Sequence, residues 1–115
     1  MKEENVILEK SYAFALAIMA LAKEIREKRE YDLASQLWRS GTSIGANVEE
    51  AQAAQSRADF RSKMAIAAKE AREVHYWLRL TRDGNVIASI QVTPLIDAID
   101  EIIRFLTAIV KSSGQ

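Results

Sequence analysis

Cysteine is missing from this sequence, and histidine occurs once, as His75. Without thiols there is no disulfide scaffold, no thiol nucleophile and no cysteine-ligated metal, and one imidazole is too few for a histidine-based metal cluster. Proline also occurs once and glycine four times, so long helices meet few interruptions. An excess of one charge is lacking as well: sixteen Lys and Arg balance sixteen Asp and Glu. Broad, non-specific nucleic-acid binding rests on surplus Lys and Arg, so neutrality argues against it while leaving room for a local basic patch. The charge-free stretch Ser11 to Ala22 falls short of the ~20 residues that span a membrane. No segment shows the order of a signal peptide: basic start, apolar run, small-residue cleavage site. These shortages predict a protein of a reducing compartment, the cytoplasm, that neither enters a membrane nor holds a cofactor.

What is present is helix. Hydrophobic residues make up 49% of the chain and charged residues 28%, the balance of one folded domain of 115 residues. From about Asn5 to Lys28, Ile7, Phe14, Leu21 and Ser11, Ile18, Ile25 recur in steps of four and three, the spacing of one packed helix face. Asp32 is placed to cap a second helix whose core stripe is Leu33, Leu37, Ser40, Ile44, Val48 and Ala51. Ser56-Arg57-Ala58-Asp59 resembles a capping box and opens a third helix with the face Phe60, Met64, Ala67, Ala71, Val74, Leu78. Gly84 suits the left-handed position after it. Thr93-Pro94 reads as an N-cap followed by a proline at the first helical position of a fourth helix, with Leu95, Ile99, Ile102, Leu106 and Ile109 inward. Short connections between helices of similar length predict an all-α, antiparallel up-and-down four-helix bundle, with residues 1–115 as a single domain.

The apolar surface exceeds what one bundle needs. Leu8, Tyr12, Leu16 and Met19 form a second strip on the first helix. Arg39 is the only charged residue between Leu33 and Val48, and away from the core stripe lie Ala34, Trp38, Gly41 and Gly45. Mid-helix glycines cost about 1 kcal/mol each against Ala, so two of them four residues apart imply close approach of another backbone. That backbone belongs either to a neighbour in the same bundle or to another copy. Large exposed apolar patches mark interfaces, so Leu16, Trp38, Gly41 and Gly45 are the candidate oligomer contacts.

Two polar stripes could carry chemistry. Gln36, Arg39, Ser43, Asn47 and Glu50 share one face of the second helix. They form either a ligand surface or a hydrogen-bonded seam that fixes helix or subunit register, with Arg39 paired to Glu70 or Glu73 and Asn47 nearest the core. On the third helix, Arg61, Lys69, Arg72 and Arg79 lie together with Tyr76 beside them. That stripe is either a solvated face or a track for a phosphate backbone, with Tyr76 free to stack on a base. His75 lacks the Glu three residues earlier that a di-iron bundle needs, and no partner acid for general-base catalysis is evident in the sequence. No glycine-rich phosphate loop exists. These absences speak against an enzyme.

The run Asp32-Leu33-Ala34-Ser35-Gln36-Leu37-Trp38-Arg39-Ser40, followed by Ser43-Ile44-Gly45-Ala46-Asn47-Val48-Glu49-Glu50-Ala51, carries a family signature. It resembles the bacterial four-helix-bundle proteins encoded in intervening sequences of large-subunit ribosomal RNA genes. Ser56, Asp59-Phe60, Ala67 and Glu70 to Leu78 continue the likeness, which spans roughly Ser11 to Leu80. The resemblance implies a left-handed up-and-down bundle that assembles as a homopentamer. The family is similar to the accessory variability determinant of diversity-generating retroelements, a pentameric barrel that binds nucleic acid and a reverse transcriptase. The expectation is a non-catalytic homo-oligomeric scaffold with an RNA or nucleoprotein partner and no small-molecule substrate. The alternatives are a nucleic-acid-binding module using the third-helix stripe, or a small-ligand or metal site inside the bundle.

Overall fold

The computed structural model of the protein describes residues 2–114, and side chains from Asn5 through Gly114. Four helices follow one another: α1 (Lys2–Glu27), α2 (Tyr31–Ala51), α3 (Arg57–Asp83) and α4 (Ser89–Ser113). A helix of 26 residues is about 39 Å long, so the helices lie along the longest dimension of the 44 × 20 × 18 Å molecule. Each packs against the next in the chain, and α1 and α4 close the bundle through the thinnest seam. Glu24 near the end of α1 bonds Gln91 near the start of α4, while Lys10, earlier in α1, bonds Glu101, later in α4, which fixes the antiparallel arrangement. The core draws on all four inward stripes, including Ile18, Leu37, Ile44, Leu78, Ile99 and Leu106, each fully buried.

The helix ends depart from the sequence expectations. Asp32 does not cap α2; Glu30 takes that position with no side-chain bond, and Asp32 lies in the first turn, where its charge faces the positive end of the helix. The start is set upstream. The Glu30 amide bonds to the Ile25 carbonyl and the Arg29 amide to the Arg26 carbonyl, with Arg29 left-handed at φ 66°. This is the paired closure that ends α1 and aims the chain into α2. The same closure ends α3, through Val86 to Thr81 and Asn85 to Arg82. Its left-handed residue is Asn85 at φ 59°, not Gly84, whose φ is −81°. The closure sits one residue later than expected, and asparagine tolerates that conformation well.

Ser56 does cap α3, its side chain accepting from the Asp59 amide at 3.0 Å. The Asp59 carboxylate reaches back to the Gln55 amide at 3.3 Å, so the box is wider by one residue than the reciprocal form. α4 begins at Ser89, and Pro94 stands inside it instead of at its start. The extra turn buries Val92 completely, which offsets the amide that Pro94 removes from the Ile90 carbonyl.

By length and composition, Asn5–Glu27 could cross a membrane; among the described residues it is the one such stretch, and a third of it is buried. The charge-free segment alone is shorter, as read from the sequence. Ile7, Ser11, Phe14, Ile18, Leu21, Ala22 and Ile25 are the buried part and form one wall of the core. Tyr12 and Leu16, 63% and 53% exposed, lie outside it.

Candidate functional site

Three surfaces follow from how the stripes pack. The first lies over the α1–α2 seam. Ile18 faces Gly41 so closely that a Cβ there would stand 2.5 Å from the Ile18 Cγ2. Gly45 lies over the Ser11 backbone, with room for a Cβ at 3.5 Å from the Ser11 carbonyl oxygen. Both glycines are buried. The backbone they admit is therefore α1 of the same bundle, the first of the two alternatives the sequence left open, and neither glycine is part of an open face. Outside this seam Tyr12, Leu16, Tyr31 and Trp38 are exposed. Beside Trp38 runs a groove of about 400 Å3, lined by Ala22, Lys23, Arg26, Ala34, Ser35 and Trp38. Of the four interface candidates, Leu16 and Trp38 thus lie on the surface and Gly41 and Gly45 beneath it.

The second surface is the α2–α3 seam, where the polar row of α2 meets α3. The Arg39 guanidinium donates to Glu70 at 3.0 Å and also to Glu73, and it donates to the Gln36 amide oxygen at 3.2 Å. Glu70 is only 7% exposed, a carboxylate that needs this partner. Trp77 adds an indole N–H to Glu73 at 3.1 Å. Glu50 pairs with Lys63 at 3.3 Å. The ion pairing expected of Arg39 is therefore made to both acids at once. Asn47 behaves otherwise: its amide donates to the Ser43 carbonyl and hydroxyl, within α2. The bond across the seam comes from Arg39, not from Asn47.

The third surface covers α3 and α4. Arg61, Lys69, Arg72, Tyr76 and Arg79 are all exposed. Arg61 Nε donates to the Val110 carbonyl at 3.2 Å, and Arg79 Nε donates to the His75 carbonyl while its guanidinium stands 5.8 Å from the Tyr76 ring centre. Tyr76 itself packs edge-on against Trp77 at 5.1 Å. Among the described residues, none of these four cations pairs with an acid. His75, for which the sequence shows no partner acid, has one in the fold: its Nε2 lies 3.0 Å from Asp100 Oδ1. Asp100 comes from α4, and no sequence spacing could announce it. Arg104, exposed one turn beyond Asp100, extends the basic surface onto α4. Among the described residues no cluster of three or more His, Asp or Glu is arranged to hold a metal ion.

The sequence model of the 23S rRNA-intervening sequence protein family matches residues 3–108. A crystal structure from Bacteroides thetaiotaomicron, of a protein of unknown function from the S23 ribosomal protein family, superposes with a TM-score of 0.90 at 44% identity. The match covers 95% of this chain and 98% of that one. No curated protein matches the chain.

Proposed function

The chain belongs to the 23S rRNA-intervening sequence protein family, and from that premise we propose that it is a cytoplasmic, non-catalytic, homo-oligomeric helical scaffold for an RNA or nucleoprotein partner. The observation that carries this reading is the group of large apolar side chains exposed on the outer face of α1 and α2. Tyr12, Leu16 and Trp38 stand in solvent along a surface whose deeper layer, Gly41 and Gly45, is already packed. A chain that leaves large apolar side chains exposed together gains by covering them. The family resemblance sets the expected assembly at five copies in a closed ring. A specific contact buries on the order of 1,200–2,000 Å2 in total. The non-catalytic part rests on separation: the His75–Asp100 pair lies between α3 and α4, whereas the groove lies between α1 and α2. Light scattering at micromolar concentration tests the scaffold, and a mass of one chain sinks it.

A second observation favours nucleic acid as the partner. Lys69 and Arg72 stand free of acids beside Arg61 and Arg79, and ring symmetry would repeat this face around the assembly. RNA binding on this surface weakens steeply with salt, with a log–log slope near −0.7 per phosphate neutralised on a single strand. Arg72→Gln with Arg79→Gln flattens that slope at unchanged mass and helicity. A slope that stays the same removes the stripe from the binding surface.

A further inference from the structure

The groove over the α1–α2 seam has the make-up of a small-ligand site and is complete within one chain. Its volume of about 400 Å3 falls in the range of ligand pockets. Ala22 and Ala34, both buried, form its floor, and Lys23, Arg26, Ser35 and Trp38, all exposed, stand around it. Ile18 seated on Gly41 sets the register of the two antiparallel helices. That register puts Trp38 at one end of the groove, Lys23 level with Ser35 in the middle, and Arg26 at the other end. At 1.5 Å per residue, both cations lie within about two helix turns of the indole.

The charges around the groove do not cancel within it. Among the described residues, neither Lys23 nor Arg26 pairs with an acid. Glu24, Glu27, Glu30 and Asp32 lie in the same corner of the bundle, and each is matched elsewhere. Glu24 accepts from Gln91 on the α4 side of α1. Asp32 stands in the first turn of α2, against the positive end of that helix. Glu27 and Glu30 flank Lys28 and Arg29 at the α1–α2 turn, which puts two charges of each sign there. Glu27 lies one turn from Lys23 without bonding to it. At about 100° per residue, Glu27 and Asp32 also point roughly 90° or more away from the groove residues of their own helices. Lys23 and Arg26 therefore remain as the surplus that the groove presents.

We infer that this groove binds a nucleoside 5′-phosphate, either free or as the end of an RNA strand. Both ends of the groove point to that chemistry. An exposed indole takes a flat base by stacking, which tolerates any base. Two cations one helix turn apart call for more than one negative charge, and a phosphate monoester carries about −1.5 to −2 at pH 7. A single carboxylate leaves one of them unmatched. Arg26 meets two phosphate oxygens with its fork, and Lys23 adds a point charge. The ribose spans the interval between ring and phosphate, over the two alanines, with the Ser35 hydroxyl beside it. Tyr12 and Leu16 do not line the groove, so the ligand and the apolar face of the scaffold meet only at Trp38. The groove is also separate from the basic stripe of α3, which adjoins α4.

The test titrates adenosine 5′-monophosphate into the full chain and reads tryptophan fluorescence and heat of binding. The expected result is saturable quenching with a Kd on the order of 0.1–1 mM, the affinity of an open groove. Lys23→Gln with Arg26→Gln weakens binding at least about tenfold, and helicity is kept because both side chains are exposed. Trp38→Leu removes the quenching, leaves the Trp77 signal unchanged and weakens binding by calorimetry. Adenosine and inorganic phosphate each carry half of the recognised chemistry, and each binds at least about tenfold more weakly than the nucleotide. Two short RNA strands, with and without a 5′-phosphate, separate the sources. A preference of about tenfold for the phosphorylated strand assigns the groove to strand ends. Equal binding of the two strands, with the nucleotide still bound, assigns it to the free nucleotide. No saturable signal up to about 10 mM nucleotide overturns the inference and leaves the groove to a partner chain. A Lys23–Arg26 double variant that binds as the parent does, or inorganic phosphate that binds as tightly as the nucleotide, overturns it as well. The scaffold reading is judged from mass, which enters none of these outcomes.

Discussion

Helix α2 meets its two neighbours by opposite means. Toward α1 it offers Gly41 and Gly45, and the contact is made by close approach with no charge in it. Toward α3 it offers Gln36 and Arg39, and the contact is an ion-paired network that includes the buried Glu70. The first seam specifies distance, because only a residue without a side chain fits beneath Ile18. The second specifies position along the axis, because one guanidinium must reach two carboxylates and an amide oxygen together. One helix therefore sets the spacing of the bundle on one side and its register on the other.

The glycine seam should give the largest effect when broken. Gly41→Leu forces the Ile18 side chain, itself fully buried, out of its place. Overpacking of this kind costs about 1–3 kcal/mol and occasionally more, a large share of the ~5–15 kcal/mol total of a small domain. Gly45→Ala is the matched control. Its Cβ meets the Ser11 carbonyl oxygen at an ordinary 3.5 Å, and alanine is favoured over glycine in a helix by about 1 kcal/mol. Thermal unfolding should therefore show a loss for Gly41→Leu and no loss, or a small gain, for Gly45→Ala. Equal losses at both positions would mean that the seam is close along its whole length.

The ion-paired seam should give the middle effect. Arg39→Met keeps the aliphatic stem but leaves Glu70 buried without its partner. The Arg39 side chain is half exposed, so the loss is expected at about 1–2 kcal/mol, below the figure for a fully buried pair. Adding Glu70→Met should recover much of it, since removing both charges leaves nothing uncompensated. A double variant as unstable as the sum of the two singles would show that the pair is not coupled.

The two seams were not equally legible in the sequence. Periodicity alone places Ile18, Leu37, Ile44 and Leu78 in a common core, because an apolar stripe at helical spacing has to be buried somewhere. Arg39 pairing with Glu70 or Glu73 also follows, since opposite charges on inward-leaning faces need each other; that it takes both does not. Which neighbour Gly41 admits does not follow, because helical spacing gives the direction of a face and not the identity of what it meets. Asp100 beside His75 is hidden for the same reason. Helix ends escape by another route. Arg29 and Asn85 take left-handed backbone because paired amide closures demand it there, and side-chain preference shifts such a position by a residue without leaving a mark. Val92 draws α4 back to Ser89, against the strong local signal of Thr93-Pro94, because burial of one core residue outweighs a preferred start.

Asn47 gives the smallest effect and the sharpest test of the comparison. From sequence it is the polar residue nearest the core on the row, the natural candidate to fix register across the α2–α3 seam. Its amide instead bonds the Ser43 carbonyl at 2.9 Å and the Ser43 hydroxyl at 3.3 Å, all within α2. An amide satisfied by its own helix does not distinguish one register from another. Leucine roughly keeps the volume and is the better helix former, and the Ser43 carbonyl keeps its place in the helix. Asn47→Leu should therefore change stability by less than about 1 kcal/mol and leave the mass of the protein in solution unaltered. Arg39→Met, by contrast, acts across the seam. If Asn47→Leu changes the mass in solution or the stability by more than Arg39→Met does, register is set by the intrahelical amide, and the division of labour between the two sides of α2 fails.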